Sequence, residues 1–268
     1  MNLDPDLKQL ANIVMAAADD IIMAQADGVC CTTKADGSPV TEIDLAVQEK
    51  VRSELSRLWP AISFLSEEMS SLEQQSVLDS GNSYWCLDPL DGTTNYVTSI
   101  PLFAISLALV SPEGCEIGLV YDPSRKELFS ARRGGGAAIN GESLHCSTVA
   151  NELADCIAAV DFKRLPSKLR CRLAESAPFR SQRNIGTVAL EWCWMAAGRF
   201  QLYLHGGQKL WDYAAGELIF REAGGVAQTL EGENAFAHQL ASRSAIAAGN
   251  ERLFGLWHDS IRGLLNED

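Results

Sequence analysis

The segment WCLDPLDGTTNY over 85–96 ends an apolar run with two acids three residues apart, Asp88 and Asp91, followed by a glycine and two threonines. An Asp-Gly step after an apolar run is a strong hairpin signal, so a plain turn is the first reading of it. Three other acidic places raise the same question: Glu67-Glu68 after AISFLS, Asp212 after KLW, and Asp44 within VTEID. Each also has a structural reading, as a solvated strand end, a helix N-cap and the acid of a capping box. The collective reading is chemical. Glu67, Asp88, Asp91 and Asp212 follow hydrophobic runs, and the ends of strands and starts of helices are where open sheets place ligand sites.

Carboxylates gathered at one place repel one another unless a cation sits among them. A hard divalent ion takes oxygen ligands, and no His or Cys stands directly beside these acids, which favours Mg²⁺ over Zn²⁺. An EF-hand calcium loop, with its D-x-D-x-D-G pattern, is absent. The residues after the acids supply a second element. Gly92 lets a ligand approach the backbone, and the successive amides of Gly92, Thr93 and Thr94 form a donor cup for phosphate oxygens. Metal acids beside an anion cup point to phosphoryl chemistry on a small phosphorylated substrate. The Gly134-Gly135-Gly136 run lacks the G-K-[ST] ending of a P-loop and reads as a tight turn.

Periodicity says what must hold these residues. Leu10, Ile13, Val14, Ala17 and Ile21 trace one face of a helix from Leu7, and Thr41-Glu42-Ile43-Asp44 opens a second with Ile43, Val47, Val51 and Leu55 at four-residue steps. The stretch 34–39 between them is turn chemistry. From about residue 61 to the Asn140-Gly141 turn, short apolar segments predict an antiparallel sheet. After about residue 150, strand-like DCIAAVDF, FQLYLH and SAIAAG alternate with helical 187–198 and 212–223. The expectation is an α+β half over 1–149 carrying most metal ligands and an α/β half over 150–268 supplying Asp212 and substrate contacts, together one catalytic unit. Trp85, Trp192, Trp194 and Trp211 are expected to pack in the core.

Composition narrows the partners. With 22 basic and 35 acidic residues the net charge is −13, and the pI is near 4.8, so the overall field opposes nucleic acid and anionic membrane surfaces. Eight cysteines (30, 31, 86, 115, 146, 156, 171 and 193) form no C-x-x-C pair and read as buried reduced thiols. MNLDPDLKQLANIV has neither a basic n-region nor an apolar h-region, which predicts a cytoplasmic protein.

DPLDGTTN (88–95), SEE (66–68) and WDYAAGELIFREAGG (211–225) together resemble, in order and spacing, the signatures of the inositol monophosphatase family of Mg²⁺-dependent, lithium-sensitive phosphomonoesterases. VTEID (40–44), the Asn140-Gly141 turn and Gly186-Thr187 extend the likeness along most of the chain. The resemblance implies a layered α-β-α-β-α sandwich and a homodimer. It implies a first metal on Glu67, Asp88 and the Leu90 carbonyl, and a second on Asp88, Asp91 and Asp212, with Glu68 supporting a further, weaker ion or its waters. Thr94, paired with Asp44, would polarise the attacking water. Gly92, Thr93, Thr94, Gly186, Thr187, Asp91 and Asp212 would border the phosphate or substrate.

Two departures bear on the substrate. His205 stands where the family places a sugar-contacting Glu, and it reads either as a pocket residue or as a partly exposed strand end. Lys163 and Arg164 read either as favouring a second phosphate or as a solvated loop. An inositol monophosphate-like substrate comes first, with histidinol phosphate, fructose 1,6-bisphosphate and 3′-phosphoadenosine 5′-phosphate as alternatives. A second reading, from another class, is a regulatory or binding protein that retains the fold. It predicts that partner binding and cellular function survive Asp212→Asn.

Overall fold

The structure is a computed structural model that describes residues 5–23, 31–33, 39–146 and 150–266. The turn expected at 34–39 and Cys30 therefore fall largely outside the described residues. In chain order, α1 (Leu7–Ala17) precedes the short antiparallel pair β1 (Cys31–Thr33) and β2 (Pro39–Thr41), followed by α2 (Glu42–Leu58). Next come β3 (Ser63–Ser66), α3 (Ser71–Asp79), β4 (Tyr84–Asp91), α4 (Thr93–Val97), β5 (Ala104–Ser111), β6 (Gly114–Asp122), β7 (Glu127–Arg132), β8 (Gly136–Ile139) and β9 (Glu142–Leu144). The remainder is β10 (Ile157–Asp161), α5 (Ser167–Glu175), β11 (Ser181–Arg183), α6 (Val188–Ala196), β12 (Leu202–Gln208), α7 (Leu210–Glu222), β13 (Val226–Gln228), β14 (Arg243–Ala248) and α8 (Glu251–Asn266).

β3 to β9 form one sheet in sequential order, and β11-β10-β12-β14-β13 form a second. Apart from one pair, the first sheet is antiparallel as expected; the exception is β3, which runs parallel to β4 with Ser66 opposite Leu87. The reason is the connection. α3 carries the chain back across, and a helical crossover delivers the next strand in the same direction.

Side-chain alternation along β4 explains the layering. Trp85 and Leu87 point to α1 and α2, packing with Val14, Val47 and Val51, while Tyr84 and Cys86 point the other way, into the layer of α6 and α7. The far side of that layer is covered by Ala159, Tyr203, Ala245 and Ala247 of the second sheet. The outer face of the second sheet, with Ala158, Val160, Leu202 and Leu204, is closed by α5 and α8 through Leu169, Leu173, Leu253 and Trp257. The order is α-β-α-β-α. Because both faces of both sheets are covered, the strands read as continuous apolar runs rather than as alternating ones.

Trp85, Trp192 and Trp211 are buried as expected. Trp194 is only half-buried, with the Arg125 and Arg199 guanidinium groups 5.2 and 5.1 Å from its ring centroid. Of the cysteines whose side chains are described, all unbridged, Cys86, Cys115, Cys156 and Cys193 are buried and Cys146 half-buried, but Cys171 is exposed on α5. No helix among the described residues is long and apolar enough to cross a membrane.

Candidate active site

The acids meet at the end of β4. A cavity of about 250 Å³ is lined by Glu67, Asp88, Leu90, Asp91, Gly92, Thr93, Thr94, Gly186 and Asp212, together with Arg164, Lys209 and Trp211. Three chain segments far apart in sequence thus converge on one opening, each by a local device. Glu67 follows β3, where Gln74 of α3 donates to the Ser66 carbonyl at 2.8 Å and the Glu67 carbonyl at 3.3 Å. Asp88 and Asp91 lie within β4, and a register shift between them turns both toward the cavity. Asp88 Oδ1 accepts from the Leu90 amide at 3.0 Å, and Asp91 Oδ2 accepts from the Ala189 amide, at the start of α6, at 2.6 Å.

Asp212 is not the N-cap of its helix. α7 begins at Leu210, and Asp212 sits in its first turn, with Oδ2 accepting the Lys209 amide at 2.9 Å. The Asp91-Gly92 step is likewise not a hairpin. Gly92 has φ 94° and ψ 30° and joins β4 to α4, so that Gly92, Thr93 and Thr94 line the opening. A Cβ at Gly92 would stand 2.7 Å from Thr187 Oγ1 and 2.8 Å from the Leu102 carbonyl, so no other residue fits without displacing backbone.

Electrostatics marks the acids as a set. Burial first, and then the charges of Glu67, Asp91 and Asp212, push the Asp88 carboxyl well above the usual range. Asp91 is raised by burial and by Asp212, against the Ala189 amide. Asp212 is pushed up to about 7 by burial and Glu67, although the Lys209 amide and the Arg164 and Lys209 charges pull it back. This is what a cation site looks like to its own ligands: every donor is oxygen, including the Leu90 carbonyl, and the buried Asp88, Asp91 and Asp212 carboxyls resist ionising beside the other acids. Among the described residues no group of three or more His, Cys, Asp or Glu side chains is placed so as to hold a metal ion by itself. A Mg²⁺ site keeps several waters and takes carbonyl oxygens in its shell, so it is the chemistry of the donor set, all oxygen, that fits Mg²⁺.

The metal-free protein should therefore lose stability as pH rises. A carboxyl whose folded pKa lies above its unfolded value stabilises the fold while protonated, and that stability is lost between the ordinary carboxylate range and the folded pKa. For Asp212 the window runs from about pH 4 to about pH 7. The unfolding midpoint should fall between about pH 4 and about pH 7, and Mg²⁺ should reverse the fall. Glu191, buried and also raised to about 7, contributes with the same sign, so Asp212→Asn should flatten the slope only in part. A slope unchanged by both Mg²⁺ and Asp212→Asn would show that the acids do not titrate there.

Several expected site residues take other positions. The hydroxyl that reaches Asp44 belongs to Thr93, whose Oγ1 stands 3.3 Å from Asp44 Oδ1 and 3.0 Å from the Leu90 carbonyl. Thr94 lines the cavity instead. Adjacent helical residues lie about 100° apart, so only one of the two faces α2. Asp44 itself is buried, its Oδ2 accepting from the amide and hydroxyl of Thr41 in the expected capping box. Glu68 and Thr187 do not border the cavity. Thr187 is buried and donates to the Leu102 carbonyl at 2.8 Å.

His205 does not face the cavity either. It pairs in register with Asp161 across β10 and β12, is 1% exposed, and its Nε2 lies 3.3 Å from Asp161 Oδ2. Its Nδ1 accepts the Gly207 amide at 3.1 Å, so Nε2 carries the proton of a neutral ring. Burial agrees, pushing its pKa down. Lys163 does not line the cavity but Arg164 does. Positioning residues that the motifs alone did not single out include Gln74, Glu191 and Asn95. Asn95 Nδ2 donates at 2.8 Å to both the Leu102 and Ile185 carbonyls and so ties α4 to the Gly186 loop.

Five alternating layers around one carboxylate-lined cavity make this a layered α/β sandwich protein with an acid site at the strand ends. Within that class the chain belongs to the inositol monophosphatase family, whose model matches residues 6–264. It is 35% identical over 254 residues to Nus factor SuhB of Escherichia coli strain K12, covering 90% of this chain and 89% of that protein. It is 34% identical over 226 residues to inositol-1-monophosphatase of Mesorhizobium japonicum, covering 81% and 80%. A solved IMPase/NADP phosphatase, complexed with Mg²⁺ and phosphate, superposes with a TM-score of 0.79 at 26% identity over 98% of this chain and 92% of that one.

Proposed function

We propose that this protein is a Mg²⁺-dependent phosphomonoesterase acting on a small phosphorylated alcohol. The observation that carries the reading is the convergence of Glu67, Asp88, Asp91 and Asp212 on the cavity that Gly92, Thr93 and Thr94 also line. Glu67, Asp88 and the Leu90 carbonyl would hold one ion, and Asp88, Asp91 and Asp212 a second. Bound there, the ions supply Lewis-acid polarisation of the phosphoryl group and a lowered pKa for the attacking water.

The chain's own groups do the remainder. The amides after Gly92 bind the phosphoryl oxygens in the orientation set by the left-handed glycine. The Thr93 hydroxyl has one proton and two acceptors, Asp44 and Leu90. Giving that proton to Asp44 leaves the Thr93 oxygen to accept a hydrogen bond from the attacking water and aim it. Trp211 and the Gly186 loop wall the cavity and limit its water.

The relatives named Nus factor support a second reading, in which a partner surface matters alongside or in place of turnover. One experiment separates the two. Phosphate release is measured from inositol 1-phosphate, histidinol phosphate, fructose 1,6-bisphosphate and 3′-phosphoadenosine 5′-phosphate, with and without Mg²⁺, against Asp212→Asn as blank. Turnover that needs Mg²⁺ and Asp212 is the expected result. No release above the blank on any of the four would put the binding-protein reading first.

A further inference from the structure

The cavity holds two cations besides its acids, and one of them is built in from beneath. Arg164 sits on the turn that follows β10, and Asp161 organises that turn: its Oδ1 accepts the Lys163 amide at 2.9 Å, and its Oδ2 accepts Arg164 Nη1 at 2.6 Å and faces His205 Nε2 at 3.3 Å. Burial works to raise the Asp161 pKa, but the hydrogen bonds from His205 and Arg164 outweigh it and hold the carboxyl ionised well below the usual range. Gly206 presses the turn onto β12 so closely that a Cβ there would stand 1.9 Å from the Arg164 carbonyl oxygen. The arginine is therefore held at its base, while its side chain is 54% exposed at the cavity wall. Lys209, from the start of α7, lines the same cavity.

We propose that Arg164, positioned by the Asp161–His205 pair, binds a second anionic group on the substrate, so that the preferred substrate is a phosphorylated alcohol bearing a further phosphate or carboxylate. The inference rests on the phosphate-site reading of the cavity. Two observations converge on it. In the phosphate-site reading the first phosphate lies against Gly92, Thr93 and Thr94, so a guanidinium brought to the same cavity from the other sheet is available to a further group. Only one Arg164 nitrogen is given to Asp161, and a guanidinium carries five N–H donors in a planar fork suited to a second carboxylate or phosphate. His205 is thus a positioning residue: its single Nε2 proton orients the carboxylate that orients the arginine.

The test is calorimetric binding in Ca²⁺, which stands in for Mg²⁺ as a hard oxygen-seeking ion, of two matched pairs: inositol 1-phosphate against inositol 1,4-bisphosphate, and glycerol 2-phosphate against 2-phosphoglycerate. The protein should bind the doubly anionic member of at least one pair about tenfold or more tightly, as a charge-assisted pair at a fixed arginine provides. Arg164→Gln should erase that preference, read as the affinity ratio within each pair, because a change at the shared phosphate and metal contacts weighs on both members of a pair alike. Arg164→Lys should keep part of the preference, which a merely structural role would not do. Which pair shows the effect tells phosphate from carboxylate. Equal affinities within both pairs, a preference that survives Arg164→Gln, or no binding of any of the four would each overturn the proposal. Phosphate release in Mg²⁺ from the same four compounds is read separately. An arginine-dependent preference without turnover refutes the phosphatase reading alone, and turnover without preference refutes the second-anion proposal alone.

Discussion

Asp88→Asn is expected to abolish turnover and, in the same molecule, to stabilise the metal-free fold. Asp88 is 1% exposed and faces Glu67, Asp91 and Asp212, with the single Leu90 amide as its hydrogen-bond compensation. Asparagine keeps an oxygen for that amide and removes the charge that the other three acids resist. Relief of the repulsion should raise the metal-free unfolding midpoint by about 2–4 °C, the shift that about 1 kcal/mol makes in a chain of this size. The same loss of charge removes the carboxylate proposed to bridge both ions, so the rate should fall about 10³-fold or more and Mg²⁺ should no longer raise the midpoint. Thermal unfolding with and without Mg²⁺, beside phosphate release at saturating Mg²⁺, reads both halves. A variant that is less stable without metal, or that keeps a tenth or more of the activity, would remove Asp88 from the bridging position.

Thr93→Ala and Thr94→Ala should separate by a wide margin. Thr93 Oγ1 reaches Asp44 at 3.3 Å, and Asp44 is fixed by the two hydrogen bonds of its capping box, so the hydroxyl is held in one place before substrate arrives. Removing it should lower kcat by about 10²-fold with little change in Mg²⁺ affinity, and Thr93→Ser should restore most of the rate. The Thr94 side chain makes no such contact. In the proposed phosphate cup Thr94 acts through its amide, and an alanine retains that amide, so Thr94→Ala should stay within about threefold. The decisive measurement is kcat for the two variants at saturating Mg²⁺. A larger loss for Thr94→Ala would restore the pairing expected from the motif and sink the geometric one.

The two threonines show where the reading of motifs stops. DGTTN says that a hydroxyl stands near the acids, but neighbouring helical residues differ in direction by about 100°, and which one meets Asp44 depends on how α4 docks against α2. His205 is a second instance. The resemblance left it either a pocket residue or a partly exposed strand end, yet on β12 it is buried on the same side as Tyr203, with which it stacks at 6.1 Å, and the strand pairing delivers it to Asp161. A strand end offers either face, and burial chooses between them.

By itself the sequence determined what is local and chemical. The capping box at Thr41–Asp44 is complete within four residues, the oxygen-only acids name a hard cation wherever they meet, and the apolar runs require covered sheets and hence layers. Only the tertiary structure decided which acids share one cavity, that Glu68, Thr187 and His205 lie outside it, and that Arg164 rather than Lys163 enters it. The physical reason is the same in each case. Residue type and short-range spacing set what a side chain can do, whereas the direction in which it points is set by partners far off in the chain and brought near by packing, such as Asp161 for His205, the Ile185 carbonyl for Asn95 and the Ala189 amide for Asp91.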